Sequence, residues 1–164
     1  EPDEGILQDE IARACRPFAK TGGDLNSLRQ DLRQTMWDDV GVMRDAAGLK
    51  TGLQKLEQIK RDLCDIRVED GVRAFNLTWH DWLNLDNLIE ISQVIGAAAL
   101  ARENSRGAHF REDFPTEGDL EGSYFTLVKQ TGDQLQVTRE DVAFSIVRPG
   151  ETILPEDAPE TLVS

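Results

Sequence analysis

This sequence is short of thiols, bases and apolar runs, and each shortage narrows what the chain can do. Cys15 and Cys64 are its only cysteines. Both fall among apolar residues in helical patterns, where a buried free thiol is the default, and nothing signals export, so no disulfide framework is expected. No window comes near an uninterrupted apolar membrane span, which argues against direct membrane insertion. The opening Glu1-Pro2-Asp3-Glu4 has neither the basic nor the apolar part of a signal peptide. Lysine and arginine total 18 against 31 acids, a net charge of −13. No basic stripe is available to displace phosphate counterions, so nucleic acid is not expected as a partner, and an anionic membrane surface is disfavoured. A G-x-G-x-x-G is also missing. Gly22-Gly23 precedes a helical pattern, but no apolar strand leads into it, so no pyrophosphate cradle is expected. His80, His109, Cys15 and Cys64 show none of the usual metal-ligand spacings. Ser105 lies near His109, but no nucleophile elbow surrounds it. No catalytic residue, cofactor site or metal site is therefore assigned within this chain.

Helical periodicity dominates what is present. Leu7, Ile11, Ala14 and Phe18 mark one face of an amphipathic helix that Pro17 kinks or stops. Thr21-Gly22-Gly23 ends that segment, and Asp24 or Asn26 can cap the next helix. The second helix is predicted from about Leu25 to Met43, striped by Leu28, Leu32, Met36 and Val40 and widened by Trp37. Gly41 would be an interior blemish there, costing up to about 1 kcal/mol against alanine. A third helix is predicted over about Ala46 to Ile66, with Leu49, Leu53, Leu56, Ile59, Leu63 and Ile66 on a heptad-like seam. A short turn at Asp45 makes the two an antiparallel hairpin. Val68 to Phe75 connects to a fourth helix, from about Trp79 to Asn104. Leu77 is its expected staple, and Thr78 with Asp81 form a capping-box pattern. From Ile91 to Ala101 this helix is apolar on nearly every side, so burial on several faces is expected, by the bundle or by a partner domain. Trp37, Trp79 and Trp82 are expected as core or interface anchors.

Beyond Pro115 the period changes to two. Phe125, Leu127, Leu135 and Val137 alternate around Thr131-Gly132-Asp133, which reads as a β-hairpin of Tyr124 to Gln130 and Gln134 to Arg139. Val142, Phe144 and Ile146 extend its second strand or add a third. A two-stranded ribbon is marginal alone, so it must lean on the bundle or on something else. Pro149, Pro155 and Pro159 break the remainder into an extended tail. The expected fold class is mainly α: an antiparallel three-helix bundle, up-down-up like a spectrin repeat, with an extra N-terminal helix and a C-terminal β-hairpin. The expected boundaries are 1–23 for the N-terminal helix, 24–115 for the bundle, 116–148 for the hairpin appendage and 149–164 for the tail.

Two segments carry more than periodicity. Ala101 to Pro115 reads ARENSRGAHFREDFP directly after the apolar helix, and Leu32 to Val42 reads LRQTMWDDVGV. In this order, with two helices' worth of chain between them, they resemble the C-terminal helical domain of flavoprotein subunits in the succinate dehydrogenase and fumarate reductase family. L-aspartate oxidase is a more distant relative. The resemblance runs from about Leu28 to Pro115 and continues more weakly to about Val147. It implies a C-terminal piece of a larger FAD-dependent oxidoreductase acting on a dicarboxylate, with FAD and the substrate-handling residues upstream. This piece would brace the flavin domain of the same protein and present surface to an iron–sulfur subunit, without being catalytic itself. The implied location is cytoplasmic, or at the inner face of a membrane through partner subunits.

Arg106, His109 and Arg111 are the candidate interdomain contact residues. Gly107 can take a positive φ and end the helix, placing them on one loop. Two guanidinium forks and an imidazole there could hold carboxylates or carbonyls of a neighbouring domain. They could equally pair with Glu103, Glu112 and Asp113 and pin the chain reversal. His80, in the first turn of a helix, reads as a surface or cap residue. The rival reading of the whole chain is a free-standing acidic helical interaction module. That accounts for the periodicity but not for Arg106-Gly107-Ala108-His109.

Overall fold

The computed structural model describes residues 3–19, 22–68, 72–132 and 134–151. Each α-helix starts where a side-chain oxygen can accept from a free backbone N–H. Asp3 caps α1 (Glu4–Cys15), Asp24 caps α2 (Leu25–Asp38), Asp45 caps α3 (Ala46–Leu63) and Asn76 caps α4 (Leu77–Ala101). Pro17 stops the first helix, which passes into a 3-10 turn over Arg16–Ala19.

Three of these helices make an antiparallel bundle, and cross-helix ion pairs fix its sense. Lys60 of α3 meets Glu90 of α4 while Glu57 accepts from Gln93, so the two run in opposite directions. Lys55 of α3 reaches Asp39 just past the end of α2, and Arg29 near the start of α2 reaches Asp81 near the start of α4. The order is therefore up-down-up. Leu28, Leu32, Leu56, Ile59, Leu63, Trp82, Leu85 and Ile89 fill the main core, joined by Ile66 and Val68. A smaller cluster of Val40, Leu49 and Ala99 continues it toward the end where α4 stops. Trp82 is fully buried, and its Nε1 donates to the Leu63 carbonyl at 3.2 Å.

Several expectations are corrected. The second helix stops at Asp38 rather than near Met43. Residues 39–42 turn, and Met43–Arg44 become β1, which pairs in parallel with β2 (Phe110–Arg111). Pairing with a segment distant in sequence overrides local helical pattern here. Gly41 is thus a turn residue, and a Cβ on it would strike the Trp37 carbonyl oxygen. Trp37 is 80% exposed and anchors no core among the described residues. The third helix ends at Leu63, short of Ile66. The fourth starts two residues earlier than predicted because Asn76, not Thr78, is its cap; the Asn76 Oδ1 accepts from Trp79 N at 2.9 Å. Leu77 is left exposed rather than stapled. Cys15 and Cys64 are free but only half-buried.

Two helices show apolar faces that the described residues do not cover. No residue of α1 is buried, and Ile6, Leu7 and Ile11 face solvent. On α4 the buried face is Trp82, Leu85, Asp86, Ile89, Ser92, Gly96 and Ala99. Leu88, Ile91 and Ile95, three and four residues apart on the other side, are 52%, 57% and 42% exposed. The expected burial on several faces is not supplied by the described residues.

The hairpin forms as β3 (Tyr124–Thr131) and β4 (Gln134–Asp141), turning through Gly132 at φ 61°. Its register sets Val128 opposite Val137, Gln130 opposite Leu135 and Leu127 opposite Thr138. Opposed residues share a face, so Phe125 and Leu127 lie on the other face from Leu135 and Val137, not on one common face. Val142 ends the ladder by donating its N–H to the Ser123 carbonyl, and no strand follows it among the described residues. The predicted tail lies outside the described residues beyond Glu151. The ribbon leans on the end of α4: Arg139 donates to the Ala101 carbonyl, and the guanidiniums of Arg102 and Arg139 lie over the Tyr124 ring.

Candidate functional site

The segment between α4 and β3 is organised by buried polar groups. Ser105 is its hub. The Ser105 Oγ accepts from Arg111 N at 2.9 Å and donates to the Phe114 carbonyl at 2.8 Å, while Ser105 N donates to the Thr116 carbonyl. Gly107, at φ 57°, makes a two-residue turn in which Arg106 and His109 exchange both backbone hydrogen bonds. A positive φ at the first turn position suits glycine. The helix itself ends earlier, at Ala101, so Gly107 shapes the loop and does not end the helix.

Arg111 closes α4. Its side chain is 1% exposed. Nη1 donates to the carbonyls of Ala99, Leu100 and Arg102 at 2.9, 3.0 and 3.2 Å, at a helix terminus where carbonyls lack the full set of intrahelical partners. Nε and Nη2 grip both oxygens of Asp113 at 2.7 Å. Asp113 also accepts from Ala46 N, at the start of α3. A cation thus sits at a helix C-terminus and its carboxylate at a helix N-terminus, where each complements the macrodipole. The Arg111 guanidinium, before any other influence, holds the Asp113 carboxyl at about 2, below its ordinary 3.8.

His109 bridges β1 and the end of α4. Its Nδ1 lies 2.8 Å from Arg44 Nη1 and its Nε2 lies 3.2 Å from the Arg102 carbonyl. A guanidinium only donates, so Nδ1 must accept and Nε2 must carry the proton. Burial lowers the His109 pKa below its ordinary value, and the charges of Arg44, Arg102 and Arg111 lower it further. The imidazole is therefore a neutral spacer. Arg44 is consumed by Val40 and Gly41 carbonyls as well as by His109. Arg106 donates to the carbonyls of Glu117 and Asp119 and to Ser123 Oγ.

Of the three residues singled out in the sequence, Arg106 and His109 share one turn, while Arg111 is turned inward against α4. Arg111 pairs with Asp113 among the acids named beforehand. Arg44 and Arg102 belong to the same cluster and were missed. Their signal was weak, since Arg44 lies far from this loop in sequence and reads there as a helix exit. His80 is exposed on the first turn of α4.

A flavin does not fit the one glycine-rich helix entry. Gly23, at φ 107°, is packed against the Ile66 side chain, and the Asn26 N–H at the start of α2 already serves Asp24 Oδ1. Asp62 and Asp65 line the same groove, so a pyrophosphate there would meet three carboxylates.

Residues 29–154 match the family described as fumarate reductase flavoprotein C-term. This chain belongs to that family. The match spans α2 to the end of the hairpin and includes the whole Arg111 and His109 cluster. Among curated relatives, an FAD-dependent oxidoreductase of Methanocaldococcus jannaschii is 34% identical over 110 residues, which are 66% of this chain and 20% of that protein. The succinate dehydrogenase flavoprotein subunit of Coxiella burnetii is 38% identical over 105 residues, 64% of this chain and 18% of that subunit. The chain thus spans about a fifth of the length of these relatives. Among solved structures, the Mycobacterium smegmatis Sdh1 complex in its apo form superposes with a TM-score of 0.76 at 27% identity, over 86% of this chain and 25% of that one. An Escherichia coli quinol fumarate reductase chain shares the fold, with a TM-score of 0.80 at 21% identity over 92% of this chain and 27% of that one. No helix among the described residues is long and apolar enough to cross a membrane.

Proposed function

We propose that this chain is the C-terminal helical domain of an FAD-dependent oxidoreductase of the succinate dehydrogenase and fumarate reductase type, and that it braces the flavin domain of the same polypeptide. FAD and the dicarboxylate chemistry belong to the upstream region. The observation that carries the reading is the bare stripe of Leu88, Ile91 and Ile95 on α4, in a chain whose matched part is only 20% of the length of a curated relative. Isolated apolar side chains on a surface are ordinary, but a stripe at helical spacing that runs into Phe125 and Leu127 of the hairpin is a surface built to be covered. Arg106 and His109 stand at the end of that stripe and would contact the flavin domain beside it. The face of α1 carrying Ile6, Leu7 and Ile11 is a second surface, suited to an iron–sulfur subunit.

Co-expression of the upstream region with this chain tests the reading. The two pieces are expected to co-purify. Ile91→Asp is expected to break their association while leaving the helical content of the bundle unchanged, since Ile91 lies outside its core. Pieces that never associate, or that associate equally well with Ile91→Asp, contradict it.

A further inference from the structure

A cleft of about 500 Å³ opens between the end of α4, β1 and the Phe125–Leu127 part of β3, lined by Arg44, Arg102, Arg106, His109, Phe125 and Leu127 among others. Its charge is out of keeping with the rest of the molecule. The chain carries a net −13. Yet Arg44, Arg102 and Arg106 make no ion pair with any described carboxylate; their hydrogen bonds go to carbonyls, a hydroxyl, an amide oxygen and an imidazole nitrogen. Arg139, stacked on Tyr124 next to Arg102, is likewise without a described carboxylate partner. Neutral acceptors orient these guanidiniums without cancelling their charge. Thr126 Oγ1, also in the cleft lining, is buried and has no hydrogen-bond partner among the described residues. The floor is apolar, with Ile95 and Ala98 continuing the α4 stripe.

We propose that this cleft receives a peptide segment from the upstream flavin domain that carries an aspartate or glutamate next to an apolar side chain. The carboxylate sits against Arg102 and Arg106, and the apolar neighbour lies between Ile95, Phe125 and Leu127. This rests on the bracing reading and specifies its chemistry: charge selects the docking segment, and apolar contact along α4 holds it. A charge-assisted pair in a half-closed apolar cleft is stronger than one in open water.

The test uses the full-length flavoprotein with the photoreactive residue p-benzoylphenylalanine in place of Phe125, which is 56% exposed, or in place of Ile91 on the stripe. Irradiation followed by peptide mass spectrometry is expected to join position 125 to one upstream segment containing an acidic residue. Arg102→Gln is expected to cut that adduct by about fivefold or more while the adduct from position 91 persists, which also shows that the fold survives. A segment without a carboxylate, or an adduct indifferent to Arg102→Gln, overturns the cleft proposal. An adduct from position 91 with none from position 125 overturns the cleft and leaves the bracing intact. Absence of both adducts overturns the two together.

Discussion

Replacing Arg111 by alanine removes the guanidinium that closes α4, and its cost follows from its partners. Three carbonyls at the end of α4 at 2.9 to 3.2 Å and a carboxylate gripped at 2.7 Å lose the guanidinium as a donor, and the Leu100 carbonyl loses the donor described for it. Deleting one member of a buried pair costs about 3–5 kcal/mol. Asp113 keeps 31% side-chain exposure and can recover water, which places the loss at the lower end, about 3 kcal/mol. For a chain of this size about 2–4 °C is lost per kcal/mol, so the melting temperature should fall by about 9 °C. Arg111→Lys restores a point charge but not a planar fork, and one ammonium cannot serve both the carbonyls and both carboxylate oxygens. It should still lose about 2 kcal/mol. The assay is urea unfolding followed by tryptophan fluorescence and far-UV circular dichroism, with an unchanged m value as the sign that the unfolded state is unaltered. The double variant Arg111→Met with Asp113→Asn should lose less than Arg111→Ala, because no charge is left stranded. If Arg111→Ala stays within about 1 kcal/mol of the parent, or lysine fully substitutes, the helix-closing role is wrong.

Two further predictions concern protons. The folded Asp113 carboxyl titrates at about 2 against an ordinary 3.8, so the stability it contributes is present above the ordinary value and lost as pH falls toward 2. Asp113→Asn should flatten the fall in urea midpoint across that window; curves that stay parallel contradict the ion pair. The folded His109 pKa is depressed, so an unfolded chain binds a proton that the folded one refuses, and His109 weakens the fold as pH drops below about 6.5. Nitrogen-detected NMR of the imidazole should show the neutral form protonated at Nε2 at pH 7, with a midpoint below 6.5; a midpoint above that value, or a proton on Nδ1, refutes the Arg44 contact.

How much of this was legible in the sequence varies by element, for physical reasons. α3 could be read because its apolar spacing matches the surface it buries, and the hairpin because alternation flanks a turn at Gly132, although Phe125 and Leu127 stay exposed. The end of α2 could not, because Val40 and Met43 keep the helical spacing while the backbone leaves the helix to form β1. That two-residue ladder is set by its partner at Phe110–Arg111, and no local window contains the partner. Periodicity also cannot distinguish an apolar face buried inside the chain from one awaiting a neighbour. Trp37, Ile91 and Ile95 therefore read as core or interface anchors alike, and the structure leaves all three exposed. At the site, the dense charge of Ala101 to Pro115 singled out the segment that carries Arg106, His109 and Arg111. The division of labour among them required coordinates. Arg111 turns inward to three carbonyls that are within its reach because α4 ends at Ala101. Arg44 joins the cluster through β1 and has no local sequence signal.

Hydroxyl-radical footprinting of the 164-residue chain and of the full-length flavoprotein tests the central claim most directly. If α4 braces a flavin domain, oxidation of Leu88, Ile91, Ile95 and Phe125 is high in the isolated chain and strongly suppressed in the full-length protein, while buried Trp82 stays protected in both. Equal oxidation of the α4 stripe in the two proteins would contradict it.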